Sequence, residues 1–189
     1  MRRLALAALL LLAACGGEQW VKLTPDEQQR LAAPGIRVNA IVTEGAPVVT
    51  RLLATTEAEV LASGRPLDVP ELALARSLGV REPERVRVAL RDRFPMPADP
   101  RFAALSTEMG FIFGTEAEIG RTQGHAILLK PGAAGAREVL AHELVHVAQY
   151  ERLGGIEAYT REYMTEVLAL GYQRAPLEQE AYARQSGVR

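Results

Sequence analysis

The sequence predicts an α+β domain in which helices come first, a few strands follow and helices return. Three observations carry this. Helix starts with proline in the first turn recur at Thr24-Pro25 and Asp68-Val69-Pro70. The run Arg85 to Leu90 alternates charged and apolar residues before turning apolar, the pattern of a half-buried strand. Arg137 to Arg152 is amphipathic and stops at Gly154-Gly155, as a helix with a glycine C-cap does.

The elements follow in order. Thr24 caps a first helix, Glu27 completes a capping box, and Pro34-Gly35 ends it. Ile36 to Thr43 reads as a short strand, because β-branched residues dominate it. Pro47 to Ala62 reads as a helix with Leu52, Leu53, Val60 and Leu61 on or near its apolar side. Asp68 and Glu71 open a further helix that Gly79 ends. Phe94 to Pro100 holds three prolines and must be a loop. Gly110 to Gly114 and His125 to Leu129 are strand candidates that could form a hairpin across a polar connection. Ile156 to Gly171 is mostly helical, and Pro176 opens a last helix carrying Leu177 to Gln185.

Composition limits the classes of function. The chain has 189 residues, 48% hydrophobic, with a net charge of −1. That suits one globular domain and gives no clustered basic face, so no nucleic-acid partner is expected. Arg2 and Arg3 precede an apolar run, Leu4 to Leu12, that is too short to span a bilayer. Leu12-Ala13-Ala14-Cys15 then resembles the lipobox of bacterial lipoproteins. The resemblance implies a signal peptide over residues 1–14, a lipidated Cys15, a tether over 15–24 and a folded domain over 25–189. Cys15 is the only cysteine, so no intrachain disulfide can form. The expected partner is a lipid membrane reached through acylated Cys15, and the expected location is the bacterial cell envelope. No aspartate follows Cys15. By the sorting rule of enteric bacteria, that favours the outer membrane, facing the periplasm.

The chemistry is concentrated in His142-Glu143-Leu144-Val145-His146. Residues four apart share a helix face, so His142 and His146 can ligate one Zn²⁺. Glu143 stands beside the metal rather than on it, placed to take a proton from the attacking water. Two of the chain's three histidines fall at this spacing. A catalytic zinc needs a third protein ligand. The last helix offers Glu178 and Glu180, which cannot share a face because two residues turn a helix by about 200°.

Here the chain resembles the gluzincin branch of zinc peptidases, whose third ligand is a Glu on a downstream helix, often within Glu-x-x-Ala-Asp. This sequence reads Glu178-Gln179-Glu180-Ala181-Tyr182. Aligned on Ala181, the resemblance makes Glu178 the ligand and Glu180 solvent-facing. It also puts Tyr182 where the family often has an acid that orients a histidine. The metzincin extension, with its third histidine, is replaced by Ala148-Gln149-Tyr150-Glu151-Arg152. The segment from His142 to Tyr182 also resembles short bacterial HExxH metallopeptidase domains.

The resemblance implies a zincin-like fold, with a small sheet packed on the motif helix and further C-terminal helices. It also implies a zinc-dependent metallopeptidase acting on a peptide or protein, with a peptidoglycan peptide as a variant substrate. Tyr172 and Arg174 lie where some gluzincins carry a catalytic Tyr or His. Tyr172 is the candidate for stabilising the oxyanion, with a packing tyrosine as the other reading. His125 is either a transition-state stabiliser or a surface or core histidine. Tyr150, Tyr159 and Tyr163 read as packing between helices. The rival function is an inactive, zinc-stabilised envelope lipoprotein that serves as a binding or assembly factor.

Overall fold

A computed structural model describes residues 22–100 and 118–188. Cys15, the lipobox-like segment and the strand expected at Gly110 to Gly114 lie outside these residues. Among the described residues no helix is long and apolar enough to cross a membrane. The architecture of the described residues is α+β, mostly helical, around one four-stranded sheet.

The N-terminal helix α1 (Pro25–Ala32) starts from Thr24 with both halves of the capping box formed. The second helix, α2 (Ile36–Ser63), absorbs both the strand expected at Ile36 to Thr43 and the helix expected from Pro47. The strand reading fails because tertiary packing overrides β propensity. Val42, Ala46 and Val49 recur at helical spacing and meet Met164 and Val167 in one apolar cluster. Pro47 sits inside the helix on its exposed face, where water can satisfy the carbonyl it leaves unpaired.

Strand β1 (Arg65–Pro66) leads to α3 (Val69–Ser77), which Asp68 and Glu71 cap reciprocally. Strands β2 (Arg87–Leu90), β3 (Gly120–Gln123) and β4 (Ala126–Leu129) complete the sheet in the order β1-β2-β4-β3. β2 and β4 run parallel, while β3 pairs antiparallel with β4. β3 is thus the hairpin partner of β4, built from the segment read as a polar connection. The turn needs Gly124 at φ 63°, a left-handed conformation that costs glycine nothing.

Every residue of β4 is buried because both faces of the sheet are covered. Ile127 and Leu129 pack with Leu140, Leu144 and Val147 of α4 (Arg137–Leu153). Ala126 and Leu128 face the other way, against Val60 of α2 and Phe94. Helix α4 is buried without a break from Leu140 to Tyr150. Gly154 at φ 96° ends it, and the amides of Gly154 and Gly155 donate to the Tyr150 carbonyl.

His125, in the β3–β4 turn, is a buried ion-pair hub that does not line the cleft described below. Its Nε2 lies 3.0 Å from Glu151 of α4, and its backbone amide donates to Glu57 of α2 at 2.8 Å. Glu57 and Glu151 hold its imidazole above the ordinary histidine value, against the effect of burial.

Two helices finish the chain, α5 (Ile156–Leu170) and α6 (Pro176–Gln185). The residue before α6 is Ala175, which has no capping side chain. Glu166 of α5 supplies the cap from outside, its Oε2 accepting the Leu177 amide at 2.8 Å. Burial pushes the Glu166 carboxyl up to about 8, although the Leu177 amide opposes this.

In the folded chain Glu166 therefore keeps a proton that the unfolded chain loses. Its stabilising contribution is complete below the ordinary value of 4.5 and is lost as pH rises to about 8. Glu166→Gln keeps the capping oxygen and cannot ionise. Denaturant unfolding at about pH 5 and about pH 8 should show a fall in stability roughly 3 kcal/mol larger for the parent than for the variant. Equal falls would show that Glu166 does not titrate in this window.

Candidate metal centre

His142 and His146 stand on successive turns of α4, with their Nε2 atoms 3.1 Å apart. Glu178, in the first turn of α6, closes a triangle. Its Oε2 is 3.4 Å from His142 Nε2, and its Oε1 is 3.6 Å from His146 Nε2. Oε2 is buried and accepts no hydrogen bond among the described residues. Glu178 is 3% exposed, so water does not solvate this charge.

The outer nitrogens fix the tautomers. Gln149 Nε2 donates to the Leu177 carbonyl at 2.9 Å and to Glu180 at 3.1 Å. Its Oε1 is thereby turned to His146 Nδ1 at 2.8 Å, and can only accept. Gln185 Oε1 accepts from His142 Nδ1 at the same distance of 2.8 Å. Each neutral imidazole then carries its proton on Nδ1 and turns an Nε2 lone pair inward. Two facing lone pairs and an unpaired carboxylate oxygen are a donor set for a cation. Tetrahedral bonds of about 2.0–2.1 Å put ligand atoms about 3.3 Å apart, close to the spacing here. His142, His146 and Glu178 can hold a metal ion together. Without one, burial depresses His142 but Glu178 and Glu143 outweigh it and raise its pKa. A proton then does part of the cation's work.

Glu180 is not solvent-facing. It is buried, pairs with Arg152 at 2.7 Å and holds the Gln149 amide. Two residues along α6, its face differs from that of Glu178, and the polar core claims both. Tyr182 sets its ring 4.7 Å from that of His142. The histidine-orienting role falls to Gln149 and Gln185 rather than to an acid at that position.

Glu143 is outside the three-residue donor group. Its carboxylate turns toward β3, where the Thr122 hydroxyl lies 2.7 Å from Oε2 and 2.9 Å from the Glu143 carbonyl. That hydroxyl serves both protonation states. It donates to an ionised carboxylate, or donates to the carbonyl while accepting from a protonated one. Burial raises the Glu143 pKa, and the two histidines oppose this. Gly120 makes the approach of β3 possible, since a Cβ there would stand 2.5 Å from Glu143 Oε1.

These groups form the floor of a cleft whose empty space, open solvent at its mouth included, is about 870 Å³. Tyr172 lines it, with its hydroxyl 3.1 Å from that of Tyr182. Burial and the nearby Glu178 raise its phenol far above the ordinary range, so it remains a donor. Arg174 turns away to pair with Glu27 of α1 at 2.8 Å.

All five tyrosines of the chain surround the histidines. Tyr150, Tyr159 and Tyr163 stack as the packing reading expects, with centroids 3.8 and 5.6 Å apart. They also serve the site. Tyr163 donates to Glu178 Oε1 at 2.8 Å, and the Tyr159 hydroxyl lies 3.1 Å from His146 Nδ1. Gln149, Gln185, Thr122 and Gly120 were missed by the motif. Only Gln149 had a local signal, one turn beyond His146 on the same helix.

A family model described as the eCIS core domain matches residues 118–154, which run from the entry of β3 to the end of α4. The match includes both histidines and Glu143 but not Glu178. No curated protein and no solved structure matches the chain.

Proposed function

We propose that this protein is a zinc-dependent metallopeptidase with a zincin-like domain, held at the bacterial cell envelope through Cys15. The observation that carries the reading is the convergence of His142, His146 and Glu178 on one point, with Glu143 beside it and a cleft in front. Zn²⁺ suits two imidazoles and one carboxylate, and three protein ligands leave a position for the reaction. Bound there, zinc polarises a carbonyl and lowers the pKa of water.

The chain's own residues supply the rest. Glu143 takes a proton from the water that adds to the scissile carbonyl carbon. Its carboxyl returns that proton to the amide nitrogen as the C–N bond breaks, releasing an amine and a carboxylate. Thr122 holds the carboxyl through both states. The Tyr172 hydroxyl donates toward the carbonyl oxygen as negative charge gathers on it.

The eCIS core match favours a second reading. In it the metal centre holds together a core domain that works within an extracellular contractile injection system, as a binding or assembly factor. Glu143 separates the two readings, since only hydrolysis needs its proton transfer.

The chain without its first 21 residues should bind about one zinc per molecule, measured by metal analysis after dialysis. His142→Ala, His146→Ala and Glu178→Ala should each lose that zinc, while Glu180→Gln keeps it. Full zinc retention by both histidine variants would sink the metal assignment.

Glu143→Gln should keep the zinc and lose peptide hydrolysis by at least about a hundredfold. Unchanged turnover in that variant would end the peptidase reading. A parent protein that binds zinc and cuts no peptide would favour the injection-system reading.

Gly120→Ala tests the strand that backs the general base. It should keep the zinc and lower turnover by roughly tenfold or more, because its Cβ displaces the Glu143 carboxylate. Activity equal to the parent would show that the close approach of β3 does not matter.

A further inference from the structure

The cleft has two unlike walls. The histidines, Glu143 and Glu178 occupy one side, on α4 and α6. Across from them α2 presents Val49, Leu52 and Leu53, three residues at i, i+3 and i+4 on one helix face, and α5 adds Met164. Val49 and Met164 continue into the apolar cluster behind the wall, which fixes its position.

The charges lining the cleft are as informative. Apart from the metal-site groups, the charged lining residues among those described are Glu118 and Arg121. They bind each other in a fork, with Arg121 Nη2 2.8 Å from Glu118 Oε2, and both side chains are buried. Arg121 Nη1 also donates to the Pro95 carbonyl. The guanidinium and the carboxylate are thus committed to one another. Among the described residues, a free peptide C-terminus would need that cation, and a free N-terminus would need that anion. Separating the pair to receive either would leave a buried charge uncompensated.

We infer that the cleft takes an internal stretch of polypeptide and seats a large aliphatic or aromatic side chain against the Val49–Leu52–Leu53–Met164 wall, beside the bond to be cut. This rests on the proposed peptidase reading and assigns its substrate class. The occupant follows from continuity, since wall and metal centre belong to one cavity. A side chain on that wall is attached to a backbone that lies over the histidines. Apolar contact is the discrimination such a wall offers, typically tenfold or more between a large apolar and a charged residue.

The test uses zinc-loaded protein lacking residues 1–21 and internally quenched peptides, acetylated and amidated at their ends. They differ at one position, which holds Leu, Phe, Asp or Lys. Leu and Phe peptides should be cut at least about tenfold faster than the Asp peptide, with the bond next to the apolar residue broken. Freeing either end should not raise the rate. Leu52→Glu should keep its zinc, lose the Leu preference and gain on the Lys peptide. Leu52→Ala, a milder change on the same helix, should keep zinc and weaken the Leu preference.

Binding gives an independent readout. Zinc-loaded Glu143→Gln protein should bind the capped Leu peptide at least about tenfold tighter than the capped Asp peptide by calorimetry. Leu52→Glu added to it should remove the difference. Equal cutting of Leu, Asp and Lys peptides, or cutting confined to free-ended peptides, would overturn the inference and leave the peptidase reading standing. Absence of any Glu143-dependent cutting overturns both.

Discussion

Two histidine side chains in the middle of a buried helix present a problem of orientation before one of chemistry. An imidazole can turn either nitrogen inward, and the wrong choice leaves a donor where an acceptor is needed. Gln149 and Gln185 remove the choice by accepting from each Nδ1. Gln149 is itself held by the Leu177 carbonyl and by Glu180, which is anchored by Arg152. The inward lone pair of His146 is therefore the end of a chain of hydrogen bonds that starts at the half-exposed Arg152 and runs through Glu180 of α6. The same helix brings Glu178 to the histidines, so the lock and the third donor arrive together.

That arrangement explains why α6 must be fixed so firmly. It is a short helix without a side-chain cap of its own, and its first turn carries Glu178. Glu166 caps it from α5, and Tyr163 of α5 bonds the Glu178 carboxylate. α5 in turn rests on α2 through Met164 and Val167. Ordering Glu178 thus depends on helix packing that reaches back to residues near position 42. A buried carboxylate facing two lone pairs is unfavourable alone, and this packing supports it until a proton or cation neutralises the point between them.

The sequence made part of this legible, and the reason differs by residue. His142, Glu143 and His146 were readable because their relation is local, set by the helix turn. Glu178 and Glu180 could be put on different faces by the same rule, but which face met the histidines came from resemblance. Gln149 was readable in principle, since it follows His146 by three residues. Thr122, Gly120 and Gln185 were not, because their partners are brought near only by the fold. β3 escaped notice because Gly120-Arg121-Thr122-Gln123 lacks apolar alternation. It is buried all the same, because Glu118 neutralises Arg121 and the Glu143 residue occupies Thr122. Ile36 to Thr43 misled in the opposite sense. Its β-branched residues suit a strand, but they repeat at the period of a helix and pack that way.

The matched segment, residues 118–154, holds the hairpin, the two histidines and Glu143. What makes this site particular lies outside it. The third donor, Glu178, comes from α6, and the apolar wall comes from α2. The division has a physical logic. Placing Glu143 beside the two histidines needs only a strand against a helix, and β3 against α4 provides that. Enclosing a cleft needs a second surface across from the first, and no residue of α4 can face its own helix. α2 supplies that surface because it crosses the sheet on the face opposite α4 and runs on to α5. On the proposed peptidase reading, chemistry and recognition are therefore built on separate elements, so the wall can vary without disturbing the tautomers that the glutamines hold.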